Sequence, residues 1–523
     1  MRHGVDKRPH SLHLSQDVVR RRRIWGAIGS VVVLAALTFV AVTGYSAGSA
    51  TSGHPRSTDR HPNHSPTADL PTPTILQPRW HVAWGSAMAW DFGIASNTTV
   101  REVATVATGG SSVRVRISNF LGDQPLLIAA ATIAVDSTAA TVVPSTMQPL
   151  TFDNAAGISI PVGSVAYSDP VAMSVTPLEA LAISVYVSGT DTVTLHPCCT
   201  TPDVSFYTAN GGGNRTTAPD GSAFAYASPW PRWVDAVDVL SGAATASLSG
   251  SAGTRPAHSG PTTTTTTTTS SSAGPARSTG DPNGSIVVLG DSITDGFNAT
   301  VRWTDVLQRR IDTLPLDEQR AVINEGITAN TLTDTARNFS KTGGGPSGID
   351  RLERDALSQS GVSTVVVFLG TNDLYFGADG SQVIAGLQQI ASEIHQAGLR
   401  AVGVTLLPRM AGPEPWSPTE QSYLEQINQW LLTSHAFDAV IDLASTVADV
   451  YNGQCTPTSI FAPYDSGDHL HPDNAGQVAM ADAITGAELG LPPLPQVPSQ
   501  VAVTPTPGCT GVPGIPAPTA LSG

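Results

Sequence analysis

The run Ile286-Val287-Val288-Leu289-Gly290-Asp291-Ser292-Ile293-Thr294-Asp295-Gly296 sets how the rest of the chain is read. Four consecutive apolar residues leave no polar face, the pattern of a strand buried on both sides. Gly290 permits a tight turn at its end, and Ser292 stands just beyond. Through Gly296 the run leads toward a helix, so N–H groups near Ser292 can face developing negative charge. A serine hydroxyl is a weak nucleophile until a base takes its proton. Alone, the run reads better as an Asp-Ser turn after a strand than as a nucleophile, so its weight depends on partners elsewhere.

Further apolar runs follow at Ala321–Ile323, Val365–Leu369, Ala401–Leu407 and Ala439–Leu443. Helical patterns lie near 302–313, 350–359, 381–397, 418–433 and 473–487. Apolar strands alternating with helices predict a parallel sheet covered on both faces over residues 284–490, an α/β domain. Ligands of such sheets bind beyond the carboxyl ends of the strands.

Three polar blocks stand where that rule looks for chemistry. Asp468-His469-Leu470-His471-Pro472 offers a base and an acid to hold its tautomer. Asp468 and His471 are three residues apart, so one turn can present both to a single cleft. Pro472 restricts His471 to an extended conformation and can open the next helix. His469 is a rival base and Asp465 a rival acid. Gly370-Thr371-Asn372-Asp373 follows the third apolar run, where a side-chain amide can donate to an oxyanion. Asn324-Glu325-Gly326-Ile327 follows the second, and Gly326 can offer an unobstructed N–H. Each block by itself is an ordinary turn former.

In the order Ser, Gly, Asn, Asp-x-x-His, the blocks resemble the GDSL esterase family, the SGNH hydrolases. The resemblance covers about 200 residues and implies a three-layer α/β/α, flavodoxin-like fold. It also implies roles: Ser292 as nucleophile, His471 as base with Asp468 as its partner, and an oxyanion hole from Ser292, Gly326 and Asn372. Asp291 is taken as structural. Ile293 replaces the signature leucine, a mild departure. Ala462-Pro463-Tyr464-Asp465-Ser466-Gly467-Asp468 resembles the two-domain actinobacterial members, which makes His469 a variable position. So do Trp84-Gly85-Ser86, Val113–Phe120 with Leu121-Gly122-Asp123, and Tyr167-Ser168-Asp169-Pro170-Val171.

Residues 79–240 read as an all-β, sandwich-like domain. Val113, Val115 and Ile117 alternate with Arg114, Arg116 and Ser118, and Leu181, Ile183, Val185 and Val187 alternate with small or polar residues. Trp80, Trp84, Trp90, Trp230 and Trp233 could stack on sugars, but core packing is the use favoured for most of them. Residues 241–283, with eight threonines from Thr262 to Thr269, read as a linker. From Leu491 to residue 523 the tail is Pro-rich and expected to be unstructured.

The formal net charge of the 523 residues is -15. Residues 1–23 carry seven basic residues against Asp6 and Asp17, a net of +5, which leaves -20 in the remainder. An acidic body argues against nucleic acid as a partner. Arg20–Arg23 precede an apolar run at 24–45, about 33 Å long as a helix against a hydrocarbon core of roughly 30 Å. The positive-inside rule then places the N-terminus in the cytoplasm and the body outside it. An uncleaved membrane anchor is favoured over a signal peptide cleaved near Gly48-Ser49-Ala50, which would release a secreted protein. Residues 46–78, including His54, His61 and His64, read as a polar spacer. Among Cys198, Cys199, Cys455 and Cys509 no pair has zinc-ligand spacing; Cys455 with Cys509 is a candidate disulfide.

The reading that absorbs most of these features is a serine-dependent carboxylic ester hydrolase with no metal or cofactor. Its substrate would be a small-molecule or polysaccharide ester; the oligomeric state is left open. A catalytically inactive surface carbohydrate-binding or adhesion protein is the alternative. A flavodoxin-like phosphate or cofactor binder shares the fold class but lacks the glycine loop expected after the first strand.

Overall fold

The apolar runs become the strands of one five-stranded parallel sheet. Across the sheet the order is Val322–Gly326, Ser285–Gly290, Val362–Phe368, Arg400–Val404, Ala439–Ile441. This computed structural model describes residues 78–197, 204–241, 284–334, 344–409, 415–449 and 459–496. Every residue of Ser285–Gly290 and Val362–Phe368 is buried, as a strand covered on both faces must be. The covering helices include Trp303–Ile311, Gly380–Gln396, Pro418–Thr433 and Asn474–Asp482. Gly348–Leu352 continues into a π-helical turn, Glu353–Leu357. Three shorter helices carried no period to read: Ser292–Asp295, Thr371–Tyr375 and Leu443–Val447.

Residues 79–241 form two antiparallel sheets. In the smaller, Val234–Ser241 pairs with Arg79–Gly85 on one side and Val113–Ser118 on the other. The larger is built around Trp90–Thr105, Leu126–Thr138 and Ala180–Leu195. Val113, Val115, Ile117, Leu181, Ile183, Val185 and Val187 all face the core between the sheets, so the period of two separates the two faces of each strand, but Arg116, Ser118, Ala182 and Ser184 on the other face are buried as well. Trp233 is fully buried and Trp84 nearly so, while Trp90 and Trp230 pack against the same core. Trp80 lies under the Arg114 guanidinium, 4.7 Å from its ring centre.

The two regions belong to one compact unit. Val82, Ala107 and Ala236 of the β-region are part of the α/β core. The Val82 N–H donates to the Ser360 carbonyl at 2.8 Å, and Ser285 Oγ donates to the Val82 carbonyl at 2.7 Å. Charges are buried in the same seam. Arg116 Nε donates to Asp235 Oδ1 at 2.8 Å, and both residues are about 98% buried (2% exposed). Arg114 reaches Asp238 Oδ2 and Ser360 Oγ, at 2.9 and 2.7 Å. Arg354 of the α/β region stacks on Phe120 of the β-region, 4.5 Å from the ring centre.

The chain end departs from expectation. Leu491 and Leu494 are buried in the α/β core, and Arg310 Nε donates to the Pro495 carbonyl at 2.8 Å. Their apolar side chains and the Arg310 contact hold residues 491–496 against the domain, so the packed structure runs past Leu491. The apolar run 24–45, the spacer, the Thr-rich linker and all four cysteines lie outside the described residues. Among the described residues no helix is long and apolar enough to cross a membrane.

Removing one partner of a buried ion pair strands the other charge. Asp235→Ala should therefore cost about 3–5 kcal/mol of stability, measured by denaturant unfolding. A loss below about 1 kcal/mol would show that Arg116 behaves as a surface charge.

Candidate active site

Ser292 is the first residue of the short helix Ser292–Asp295, at the carboxyl end of the Ser285–Gly290 strand. Asp291 caps that helix, its Oδ1 accepting the Ile293 N–H at 3.0 Å. Gly296, at φ 94°, closes the helix in the left-handed region, where glycine carries no Cβ penalty. Burial pushes the Asp291 carboxyl up to about 7, against the pull of the Ile293 N–H, and nearby Asp373 adds to the rise.

The structure brings Ser292, His471 and Asp468 together. His471 Nε2 lies 2.8 Å from Ser292 Oγ, and His471 Nδ1 lies 2.6 Å from Asp468 Oδ2. Burial raises the Asp468 pKa, but hydrogen bonds from the His471 ring and from the His471 and Leu470 N–H groups outweigh it and hold the carboxyl well below its usual range. An ionised Asp468 accepting from Nδ1–H leaves Nε2 as the acceptor facing the serine hydroxyl. The rival pair is elsewhere: His469 Nδ1 meets Asp465 Oδ2 at 2.6 Å, with the His469 side chain 43% exposed. His469 sits at φ 63°, in the left-handed region.

Asn372 is buried in the first turn of Thr371–Tyr375, directly after the Val362–Phe368 strand. Its Nδ2 donates to the Asn330 carbonyl at 2.9 Å, which leaves a second N–H on the same nitrogen. Asp373 fastens this helix to the neighbouring loop by accepting from Leu332 N and Thr333 N, at 2.6 and 2.9 Å.

Gly326 does not offer the amide expected of it. Its N–H donates to Asn324 Oδ1 at 2.9 Å, and the residue is buried. The position needs glycine for another reason: a Cβ there would come within 2.5 Å of the Asp295 backbone nitrogen. Three residues on, Ala329 occupies the left-handed region at φ 60° and is half-buried, and its N–H has no acceptor among the described residues. On one side of it, Thr328 N and Oγ1 donate to Asp295 Oδ2 at 2.9 and 2.7 Å. On the other, Asn330 is joined to Asn372. The turn at 327–330 thus bridges the Ser292 helix and Asn372.

Other residues of the site carried no local signal. Asn298 Nδ2 donates to Asp468 Oδ2 at 2.8 Å, and the Phe297 ring lies 4.7 Å from the His471 ring. Arg351 is fully buried; it donates from Nη2 to the Gly290 carbonyl, from Nη1 to the Glu325 carbonyl and from Nε to Asn330 Oδ1, at 2.9, 2.7 and 3.0 Å. An i,i+4 spacing from Arg351 to Asp355, in contact at 3.1 Å, was the one visible hint.

Residues 288–479 match the model of the GDSL-like lipase/acylhydrolase family. No curated protein matches the chain. Similar solved structures include the aryl esterase of M. smegmatis (20% identity, covering 38% of this chain and 94% of that one, TM-score 0.29). An acetylxylan esterase from Geobacillus stearothermophilus is 18% identical over 40% of this chain and 97% of its own, with a TM-score of 0.30. A GDSL-like lipase from Bacteroides thetaiotaomicron VPI-5482 is 16% identical over 42% and 91%, also at 0.30.

The raised Asp291 pKa has a defined stability signature. An unfolded aspartate ionises near pH 3.9, the folded one at about 7, so unfolding releases a proton between those values and stability falls as pH rises. Asp291→Asn keeps the cap oxygen and removes the titration. Its stability relative to wild type should grow by about 2–4 kcal/mol between pH 4 and 7. Thermal unfolding across that range checks it; a constant difference means Asp291 is already ionised in the fold.

Proposed function

We propose that this chain, whose residues 288–479 belong to the GDSL-like lipase/acylhydrolase family, hydrolyses carboxylic esters with Ser292 as nucleophile. The observation that carries the reading is the continuous relay from Ser292 Oγ through His471 to Asp468, at 2.8 and 2.6 Å. His471 Nε2 takes the hydroxyl proton as Oγ attacks the ester carbonyl. Asp468 holds the imidazole in the productive tautomer and stabilises the imidazolium that forms. The tetrahedral oxyanion is met by the Ser292 N–H, the free N–H of Ala329 and the second N–H of Asn372 Nδ2. Ala329 takes the place that Gly326 was expected to fill. The imidazolium returns its proton to the leaving alkoxide, giving alcohol and acyl-enzyme. His471 then activates water, and acid and free Ser292 result.

The substrate is read as a small-molecule or polysaccharide ester. Arg20–Arg23 ahead of the apolar run 24–45 support an extracytoplasmic site of action, on a membrane anchor or after release. The intact relay weighs against an inactive adhesion module, in which nothing would hold a histidine between a serine and an ionised aspartate.

Hydrolysis of a short-chain nitrophenyl ester by wild type and Ser292→Ala tests the reading. The variant should lose several orders of magnitude in kcat, as triad enzymes do when the nucleophile is removed. Equal rates in the two folded proteins would exclude it.

A further inference from the structure

The β-region reaches the back of the active site through one side chain. His196, at the end of the Ala180–Leu195 strand, is 4% exposed and is wedged between two acceptors. Its Nδ1 lies 2.8 Å from the Ala87 carbonyl and its Nε2 lies 3.1 Å from Asp295 Oδ1. A carbonyl and an ionised carboxylate accept but cannot donate, so a ring with hydrogen on both nitrogens, an imidazolium paired with Asp295, satisfies both contacts. Burial opposes that charge, but the Asp295 carboxylate and the Ala87 carbonyl outweigh it and raise the His196 pKa.

Asp295 is the last residue of the helix that Ser292 begins. With one oxygen on His196, it gives the other to Thr328 N and Oγ1, immediately before Ala329. The connection that carries Ala87, between Arg79–Gly85 and Trp90–Thr105, supports this turn from outside. Ala87 and Ala89 pack on Ile327, and Gly345 sits so close to Ala89 that a Cβ would lie 3.1 Å from the Ala89 Cβ. Asn330 in turn donates to the Gly344 and Pro346 carbonyls. The backbone of Ala329 is held at φ 60°, a conformation an L-residue keeps only when its surroundings impose it.

We propose that His196 is a positioning residue for ester hydrolysis: by holding Asp295 it fixes the Thr328–Ala329 turn, so that the β-region sets the oxyanion site built in the other region. The proposal rests on the esterase reading above. Its consequence is that the transition state loses more than the bound ester when His196 is removed.

The full chain is assayed on a nitrophenyl ester, first as wild type and Ser292→Ala, which tests the esterase reading by itself. With activity established, His196→Ala should lower kcat by about 10–100-fold, the scale set by a misplaced catalytic group, while KM stays within roughly 3-fold. Affinity for an alkyl boronic acid, which forms a tetrahedral adduct on serine, should fall by the same factor as kcat. His196→Gln can still donate to Asp295 and should recover much of the loss. Wild-type kcat in folded His196→Ala, or a change confined to KM, overturns the proposal while leaving the esterase reading intact. Should His196→Ala not fold, His196→Phe carries the test, because it keeps the bulk of the ring and removes both hydrogen-bonding nitrogens. Reduced kcat at unchanged KM then supports the proposal, and wild-type kcat overturns it.

Discussion

The guanidinium of Arg351 is the constraint on which the site depends. Two neighbouring parallel strands end on the face that carries Ser292, and each leaves a carbonyl at or next to its end, Gly290 and Glu325, in a buried place. An unpaired buried carbonyl costs on the order of 1–3 kcal/mol. Arg351 donates to both, beside the Ile327 N–H that also reaches the Gly290 carbonyl at 3.1 Å, and to Asn330 Oδ1, with Asp355 balancing its charge. One planar cation therefore sets the spacing between the turn that starts at Gly290, which carries Ser292, and the turn at 327–330. Its fork of donors suits this as a lysine would not.

The second constraint comes from the edge of the sheet. Val322–Gly326 is an edge strand, and an exposed edge is open to pairing with other chains. Here Gly85 of Arg79–Gly85 packs on the Ile323 and Glu325 side chains of one face of that strand, so closely that a Cβ at Gly85 would fall within 2.4 Å of Glu325 Oε1. Burial raises the Glu325 carboxyl well above its ordinary range, with Gln359 Nε2 as its hydrogen-bond partner at 2.7 Å. The β-region thus covers the strand whose end carries the 327–330 turn. Slippage at the seam would break the bonds that cross it, from Arg116 Nη1 to the Arg354 carbonyl and from Arg114 Nη2 to Ser360 Oγ, at 3.4 and 2.7 Å, among the buried charges of Arg116, Asp235, Arg354 and Asp355.

How much of this was legible in the sequence depended on whether the signal was local. The strands at 286–289, 321–323 and 365–369 were readable because doubly covered strands are unbroken apolar runs, and Gly380–Gln396 because its buried residues repeat at helical spacing. Ser292, Asp468, His471 and Asn372 could be singled out because each stands just past a strand or shortly before a helix. Gly326 was singled out for its amide, but its N–H goes to Asn324 Oδ1 and its glycine serves a close approach to Asp295, while among the described residues Ala329, whose unusual φ leaves no mark in composition, has an N–H without an acceptor. His196 and Asn298 were missed because their partners lie 99 and 170 residues away. Arg351 was missed because three of its acceptors are backbone or amide oxygens of other segments. The buried Leu491 and Leu494 were masked by the prolines around them.

The central claim is that Ser292 is the nucleophile, and the direct measurement is the site of covalent labelling. Folded wild-type protein is treated with a fluorophosphonate, digested, and read by mass spectrometry. The structure predicts a single phosphonylated residue, Ser292, because it alone among the described residues has a histidine nitrogen at hydrogen-bond distance from its hydroxyl and a carboxylate behind that histidine. An unlabelled protein, or label on another residue with Ser292 untouched, would contradict the account.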